Sequence, residues 1–203
     1  MNLEFPHPDD KNEVLIFINQ NFQNKKNINE KFKILEYSQN LEGWTEDHSE
    51  MIDHQIGNEH PIDIASRDMC MYLLKKYDYS EEKIILEIGC SNGNLIDKIM
   101  NLTNYKYIGS DVIKNPIKKL AEIYRETPFI IFDLLKNPFK ESFCNSLVML
   151  NVLEHINNDD KALFEANKLL KQVASVASKT SGFDIKQPEI ITKNRNLIIG
   201  TRQ

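Results

Sequence analysis

Glu87, Asp111, Asp133 and Asn151 are the residues of this chain best suited to hold a polar ligand, because each closes a short apolar run. The first run reads Ile84-Ile-Leu-Glu-Ile-Gly-Cys-Ser-Asn-Gly93. Ile84, Ile85, Leu86 and Ile88 are what a parallel strand covered on both faces requires. Gly89 and Gly93 permit a tight turn and close approach of backbone to a ligand. A helix from Asn94 to about Asn101 would then offer its first N–H groups to polar ligand atoms. Glu87, near the strand end, suits a cationic or hydroxyl-rich group. Together these features describe a site for a nucleotide-like cofactor.

The elements that must position these residues alternate. Strands are expected at Tyr105–Val112, Phe129–Phe132 and Leu147–Leu150, closing on Asp111, Asp133 and Asn151. Leu95, Ile96, Ile99 and Met100 mark the buried face of a first helix, and Ile117, Leu120, Ala121 and Tyr124 that of a second. Pro116 falls in the second helix's first turn, where its missing N–H costs nothing. Asp159 or Asp160 is expected to cap a third helix with Ala162, Leu163, Ala166, Leu169 and Leu170 inward. Such a βαβα succession implies an α/β fold, a doubly wound and mostly parallel sheet with helices on both faces. Ligands of these sheets bind outside the carboxyl ends of the strands. Asp111 then stands where a carboxylate accepts both ribose hydroxyls of a nucleoside. A dinucleotide needs G-x-G-x-x-G for its pyrophosphate. The turn Gly89-Cys-Ser-Asn-Gly93 lacks that spacing, and the carboxylate of Glu87 would repel a pyrophosphate. An adenosine that carries a positive centre fits better.

The rest of the chain narrows the class. Its 203 residues carry a net charge of -5, with 41% hydrophobic and 27% charged residues. With a pI near 5.6 there is no basic footprint for nucleic acid. No apolar run approaches a membrane span, Met1 to Asp10 lacks a signal-peptide pattern, and Cys70, Cys90 and Cys144 show no paired spacing. A reducing, cytoplasmic compartment is expected. Residues 1–80 read as an N-terminal extension, helical where it is regular, and 81–203 as the ligand-binding domain. Within the extension Val14 to Ile18 is a short apolar run, and Asn19 to Asn29 reads as a surface loop or frayed helix. Pro61 to Tyr77 reads as a helix with Ile64, Met69, Met71, Tyr72 and Leu74 as its apolar stripe. His48, His54 and His60 sit six apart, which matches neither a helical pair nor a compact loop site, so no metal is expected.

Leu86-Glu-Ile-Gly-Cys-Ser-Asn-Gly93 resembles motif I of the class I S-adenosylmethionine-dependent methyltransferases. Tyr107-Ile-Gly-Ser-Asp111-Val resembles that family's second-strand acidic motif, and Ile131-Phe-Asp133-Leu-Leu its third-strand motif. Ser146-Leu-Val-Met-Leu-Asn-Val-Leu-Glu-His155-Ile, with Leu169-Leu-Lys171, resembles the "VLEH" segment of its small-molecule branch. The resemblance covers about Lys83 to Lys171. It implies that Gly89, Cys90 and Gly93 shape the methionine side of an S-adenosyl-L-methionine pocket and that Glu87 orients the amino group. It also implies that Asp111 holds the ribose with Val112 against adenine, that Asp133 meets the adenine amine beside Leu134, and that Asn151 lies near the sulfonium and the methionine backbone. His155 is then the candidate general base; the competing reading has Glu154 and His155 hydrogen-bonding the loops around the pocket. Asn151 replaces the first carboxylate of the Glu-x-x-Glu-His pattern with which some relatives bind a cation, so no metal site is expected. The Asp/Asn-Pro-Pro-Tyr/Phe signature of base-amino methyltransferases is absent after the fourth strand, and Asn137-Pro138-Phe139 reads as a turn.

The implied activity is methyl transfer to a small-molecule or saccharide-like acceptor, with Trp44, His60 and Arg67 as possible contacts. Beyond Lys171 the family turns through a glycine-rich loop into a fifth strand. Here no glycine occurs between Gly109 and Gly182. The expectation is therefore a sheet lacking that strand and closing through an antiparallel hairpin, Phe183–Ile191 and Asn196–Thr201. A degenerate domain that binds the cofactor or a partner without turnover is the alternative. A nicotinamide-dependent oxidoreductase is disfavoured by the turn spacing.

Overall fold

The structure is a computed structural model, and it describes residues 3–10, 12–27, 29–37, 61–76, 83–101, 105–170 and 197–201. Two sheets organise it. A four-stranded antiparallel sheet runs β1 (Glu4–Pro6), β2 (Val14–Ile18), β3 (Asn21–Asn24) and β4 (Lys31–Phe32) in that order. A six-stranded sheet has the order β10-β9-β6-β7-β8-β5. Its strands are β5 (Leu35–Glu36), β6 (Lys83–Ile88), β7 (Tyr105–Asp111), β8 (Phe129–Ile131), β9 (Ser146–Leu150) and β10 (Leu197–Thr201). β9, β6, β7, β8 and β5 are parallel, and β10 pairs antiparallel with β9. Helices α1 (Pro61–Lys76), α2 (Ile96–Met100), α3 (Lys114–Ile123) and α4 (Asp159–Leu169) cover its faces.

The period of two in β6 divides the core. Ile84, Leu86 and Ile88 face one side, with Ile108, Ile130, Leu147 and Met149, against Ala162, Ala166 and Leu169 of α4. Ile85 faces the other, with Tyr107, Phe129, Ile131 and Val148, against Cys70, Leu73 and Leu74 of α1 and Ile117 and Leu120 of α3. Burial of each such side chain stabilises the fold by about 1.5–3 kcal/mol. α4 starts at Asn158, whose side chain accepts from the Lys161 N–H at 3.0 Å, rather than at either aspartate. Asn137 accepts from the Phe139 N–H at 2.9 Å, so Asn137-Pro138-Phe139 is a turn, and Phe139 is buried among aromatic rings.

The N-terminal extension departs from expectation. Residues 61–76 are helical, but residues 4–36 supply five strands. Val14–Ile18 and Asn21–Asn24 form a hairpin in register Ile18↔Asn21. Its two-residue turn has φ of +48° at Asn19 and +64° at Gln20. That is the turn geometry whose twist matches paired strands, and Asn-Gln is a weak sequence signal for it. Phe5, Leu15, Phe22 and Leu35 are fully buried in the same core as α4 and β8. The inward stripe of α1 also differs: Cys70, Leu73 and Leu74 are buried, whereas Ile64, Met69 and Tyr72 are exposed. Trp44, His48, His54 and His60, and the first strand of the expected closing hairpin, lie outside the described residues. Its second strand is β10. Among the described residues no helix is long and apolar enough to cross a membrane.

Candidate functional site

The site lies at the carboxyl ends of β6, β7, β8 and β9, where the topology brings the expected residues together. β6 is central: Glu87 stands opposite Gly109 of β7 and Val148 of β9. The chain then turns sharply, with φ of +73° at Gly89, +44° at Ser91 and +80° at Gly93. Glycine at 89 is required twice over. A Cβ there would sit 2.3 Å from Val152 Cγ2, and the backbone is in a region that L-residues avoid.

Asp111 locks this turn. It is 8% exposed. One carboxylate oxygen accepts the Ser91 N–H and the other the Ile113 N–H, both at 2.9 Å. Burial pushes its carboxyl above the usual range, opposed by these backbone donors. A carboxylate has about four acceptor sites; with the Val112 N–H also directed at it, about one remains for a further donor. The Cys90 N–H donates to the Ser110 carbonyl at 2.9 Å, which joins the turn to β7 along its backbone as well.

Glu87 is buried beneath α1 and takes a 2.5 Å hydrogen bond from the Tyr107 hydroxyl. Burial pushes its carboxyl up to about 7, an effect the Tyr107 hydrogen bond opposes and the charge of Asp111 adds to. Burial likewise raises the Cys90 thiol and the Tyr107 phenol well above their ordinary values. Cys90 thus packs as a small apolar side chain beside the two carboxyls rather than as a nucleophile.

Asn151 follows β9 with φ of +53°. Its amide nitrogen donates to Asp63 Oδ1 of α1 at 2.6 Å, while its own Oδ1 is buried without a partner among the described residues. Asp133 stands just past the end of β8, the neighbour of β7, where it caps a 3-10 turn (Leu134–Lys136) by accepting the Leu135 N–H at 2.9 Å. Leu134 beside it is buried, and Val112 is half-buried next to Asp111. His155 and Glu154 are exposed on a second 3-10 turn, Leu153–His155. Among the described residues no cluster of His, Cys, Asp or Glu is arranged to hold a metal. Asp63, Tyr107 and Val152 belong to the site and are not singled out by the sequence. Tyr107 pairs with Ile85, and its hydroxyl comes within reach of Glu87 only when β6 and β7 are paired. Asp63 is an ordinary first-turn helix acid until the fold carries it across 88 residues of chain.

Residues 86–177 match the family model described as "Methyltransferase domain". This segment therefore resembles a methyltransferase domain of that family. The match begins inside β6 and covers every strand end described above. A second model, of a protein family of unknown function, matches residues 155–203. An uncharacterized protein of Methanocaldococcus jannaschii is 33% identical over 100 residues, which are 49% of this chain and 41% of that relative. The chain thus spans about two fifths of the length of the curated relative it matches. Among solved structures, a candidate S-adenosyl-L-methionine-dependent methyltransferase of Methanococcus maripaludis aligns with a TM-score of 0.51. It is 14% identical and covers 66% of this chain and 63% of that one. The PH0226 protein of Pyrococcus horikoshii aligns with a TM-score of 0.50, is 18% identical and covers 63% of this chain and 62% of that one. At these identities the two share the methyltransferase domain's Rossmann-like fold.

Proposed function

We propose that the protein transfers methyl groups from S-adenosyl-L-methionine to a small-molecule or saccharide-like acceptor. The observation that carries this reading is Asp111. It is a buried carboxylate at the end of β7, tied to the glycine turn through Ser91, with acceptor capacity left for a ribose hydroxyl. The donor set fits the cofactor. The carboxyls of Glu87, Asp111 and Asp133 and the Asn151 oxygen can accept hydrogen bonds, which suits the hydroxyls, ammonium and sulfonium of S-adenosylmethionine better than a pyrophosphate.

When bound, the cofactor supplies an electrophilic methyl on sulfur. The chain's part is then mostly positioning, and proton removal where the nucleophile needs it. In this reading Gly89, Cys90 and Gly93 shape the methionine side, Glu87 faces the amino group, and Asp111 holds the ribose with Val112 against adenine. Asp133 and Leu134 meet the base, and Asn151 lies near the sulfonium and the methionine backbone. His155 is exposed, so as a general base it would act at the pocket's edge. We take residues 1–80 to cap this pocket and 81–203 to form the catalytic domain. The three cysteines are free and buried, which supports a reducing, cytoplasmic location. The net charge of -5 speaks against a nucleic-acid acceptor.

A second reading is favoured by one observation. β10 pairs antiparallel directly with β9, with no parallel strand between them among the described residues. A domain that binds the cofactor without turnover fits that sheet. Calorimetric titration with S-adenosylhomocysteine, with NAD as control, tests the cofactor. The wild type should bind the first alone, and Asp111→Ala should abolish binding. If both proteins fail to bind, the assignment falls. Transfer of labelled methyl to a metabolite extract then separates enzyme from binder.

A further inference from the structure

We propose that Asp63, on the N-terminal helix α1, is a positioning residue that orients the Asn151 carboxamide so that its oxygen receives an N–H donor on the cofactor's amino-acid arm. The inference rests on the S-adenosylmethionine reading and adds to it a residue from outside the matched domain.

A carboxylate can only accept hydrogen bonds. Asp63, 2.6 Å from Asn151, therefore holds the NH2 side of the amide and turns Oδ1 away from itself. That oxygen is buried and finds no donor among the described residues. Buried polar groups in folded proteins are almost always paired, and each exception calls for a reason such as strain, a functional role or a bound partner. The residue is also held with φ of +53°, a conformation that persists only where the surroundings enforce it. Its neighbour Val152 lies where a Cβ of Gly89 would be, so Asn151 is set against the cofactor turn. Three carboxyl side chains stand on or beneath this rim: Asp63, Glu87 and Asp111. The donor that completes the amide is accordingly cationic, and the α-ammonium is the cationic N–H group the cofactor carries. Without Asp63 the amide is free to turn over and present its NH2 to an ammonium.

Two ligands separate this from a structural role. S-adenosylhomocysteine carries the amino-acid arm, and 5′-methylthioadenosine has the same nucleoside without it. Asp63→Asn should weaken S-adenosylhomocysteine about tenfold, the loss expected for a hydrogen bond to a charged group. It should leave 5′-methylthioadenosine unchanged. Asn151→Gly, which tolerates the positive φ, should do the same, and adding Asp63→Asn to it should cost nothing further. Because the two ligands are compared on one protein, the ratio is independent of the folded fraction. Equal losses for both ligands, additive losses in the double variant, or unchanged binding in Asp63→Asn would each overturn the proposal. If the wild type binds neither nucleoside, the cofactor reading fails first and this inference with it. If the wild type binds both and Asp63→Asn is silent, only this inference fails.

Discussion

Replacing Glu87 by glutamine should make the protein more stable above neutral pH and leave it nearly unchanged in acid. Glu87 is 4% exposed and accepts a hydrogen bond from Tyr107. Its carboxyl moves from an ordinary value of 4.5 to about 7 in the fold. A raised carboxyl contributes stability that is fully present below 4.5, because folded and unfolded chains are then both protonated. As the pH climbs from 4.5 to 7 the unfolded chain ionises first, and the contribution is lost. The difference corresponds to about 3 kcal/mol at pH 8. Complete burial leaves no solvent screening to discount. Glutamine keeps an oxygen for the Tyr107 hydroxyl and cannot ionise. Urea unfolding of both proteins at pH 4.5, 6, 7 and 8 measures the effect. The variant's advantage should grow from under about 1 kcal/mol to about 3 kcal/mol, or roughly 6–12 °C in melting temperature. Carboxyls common to both proteins cancel in the comparison. Parallel stability curves would refute the reasoning, since Glu87 would then titrate alike in both states.

Three further outcomes are expected. Gly89→Ala should cost about 2–4 kcal/mol in urea unfolding, the sum of a left-handed backbone and overpacking on Val152. Adding Val152→Ala should return only the packing share. Phe5→Ala removes a fully buried ring from the aromatic cluster with Phe22 and Phe139; it should cost about 3–5 kcal/mol and lower one cooperative transition in calorimetry, rather than create a separate early one. Cys70, Cys90 and Cys144 are buried, and burial raises the thiols of Cys70 and Cys90. A thiol reagent at pH 8 should therefore stay silent on the native protein and react with all three cysteines in denaturant.

The parallel sheet was legible because its strands are almost wholly apolar and end on polar residues. Lys83–Ile88, Phe129–Ile131 and Ser146–Leu150 fall within a residue or two of their expected limits. The turn was legible through Gly89 and Gly93, whose positive φ angles the sequence implies. The N-terminal sheet was not. Its strands are two to five residues long, and its hairpin turns on Asn19-Gln20 without the glycine that normally marks such a turn. Of the expected stripe of α1, Leu74 is buried and Met71 packs against the core, whereas Ile64, Met69 and Tyr72 are exposed because Cys70 and Leu73 fill the rest of the inward face. Asp63 and Tyr107 were invisible for a different reason. Their partners, Asn151 and Glu87, are set by tertiary pairing and leave no mark on local spacing.

β5 has a consequence for the order in which the chain can mature on the ribosome. Its two residues pair with Ile130 and Ile131, and the Tyr37 N–H continues the ladder to the Ile131 carbonyl at 2.9 Å. Phe5, Leu15, Phe22 and Leu35 share their core with Phe132, Phe139 and α4. This segment leaves the ribosome ahead of its partners and thus cannot bury its aromatic face until roughly a hundred more residues have been made, on the order of ten seconds of synthesis. Through that interval a phenylalanine-rich hairpin with open edges is exposed to other nascent chains. Fusing a fast-folding, highly soluble protein ahead of Met1 should raise recovered yield more than the same fusion placed after Gln203.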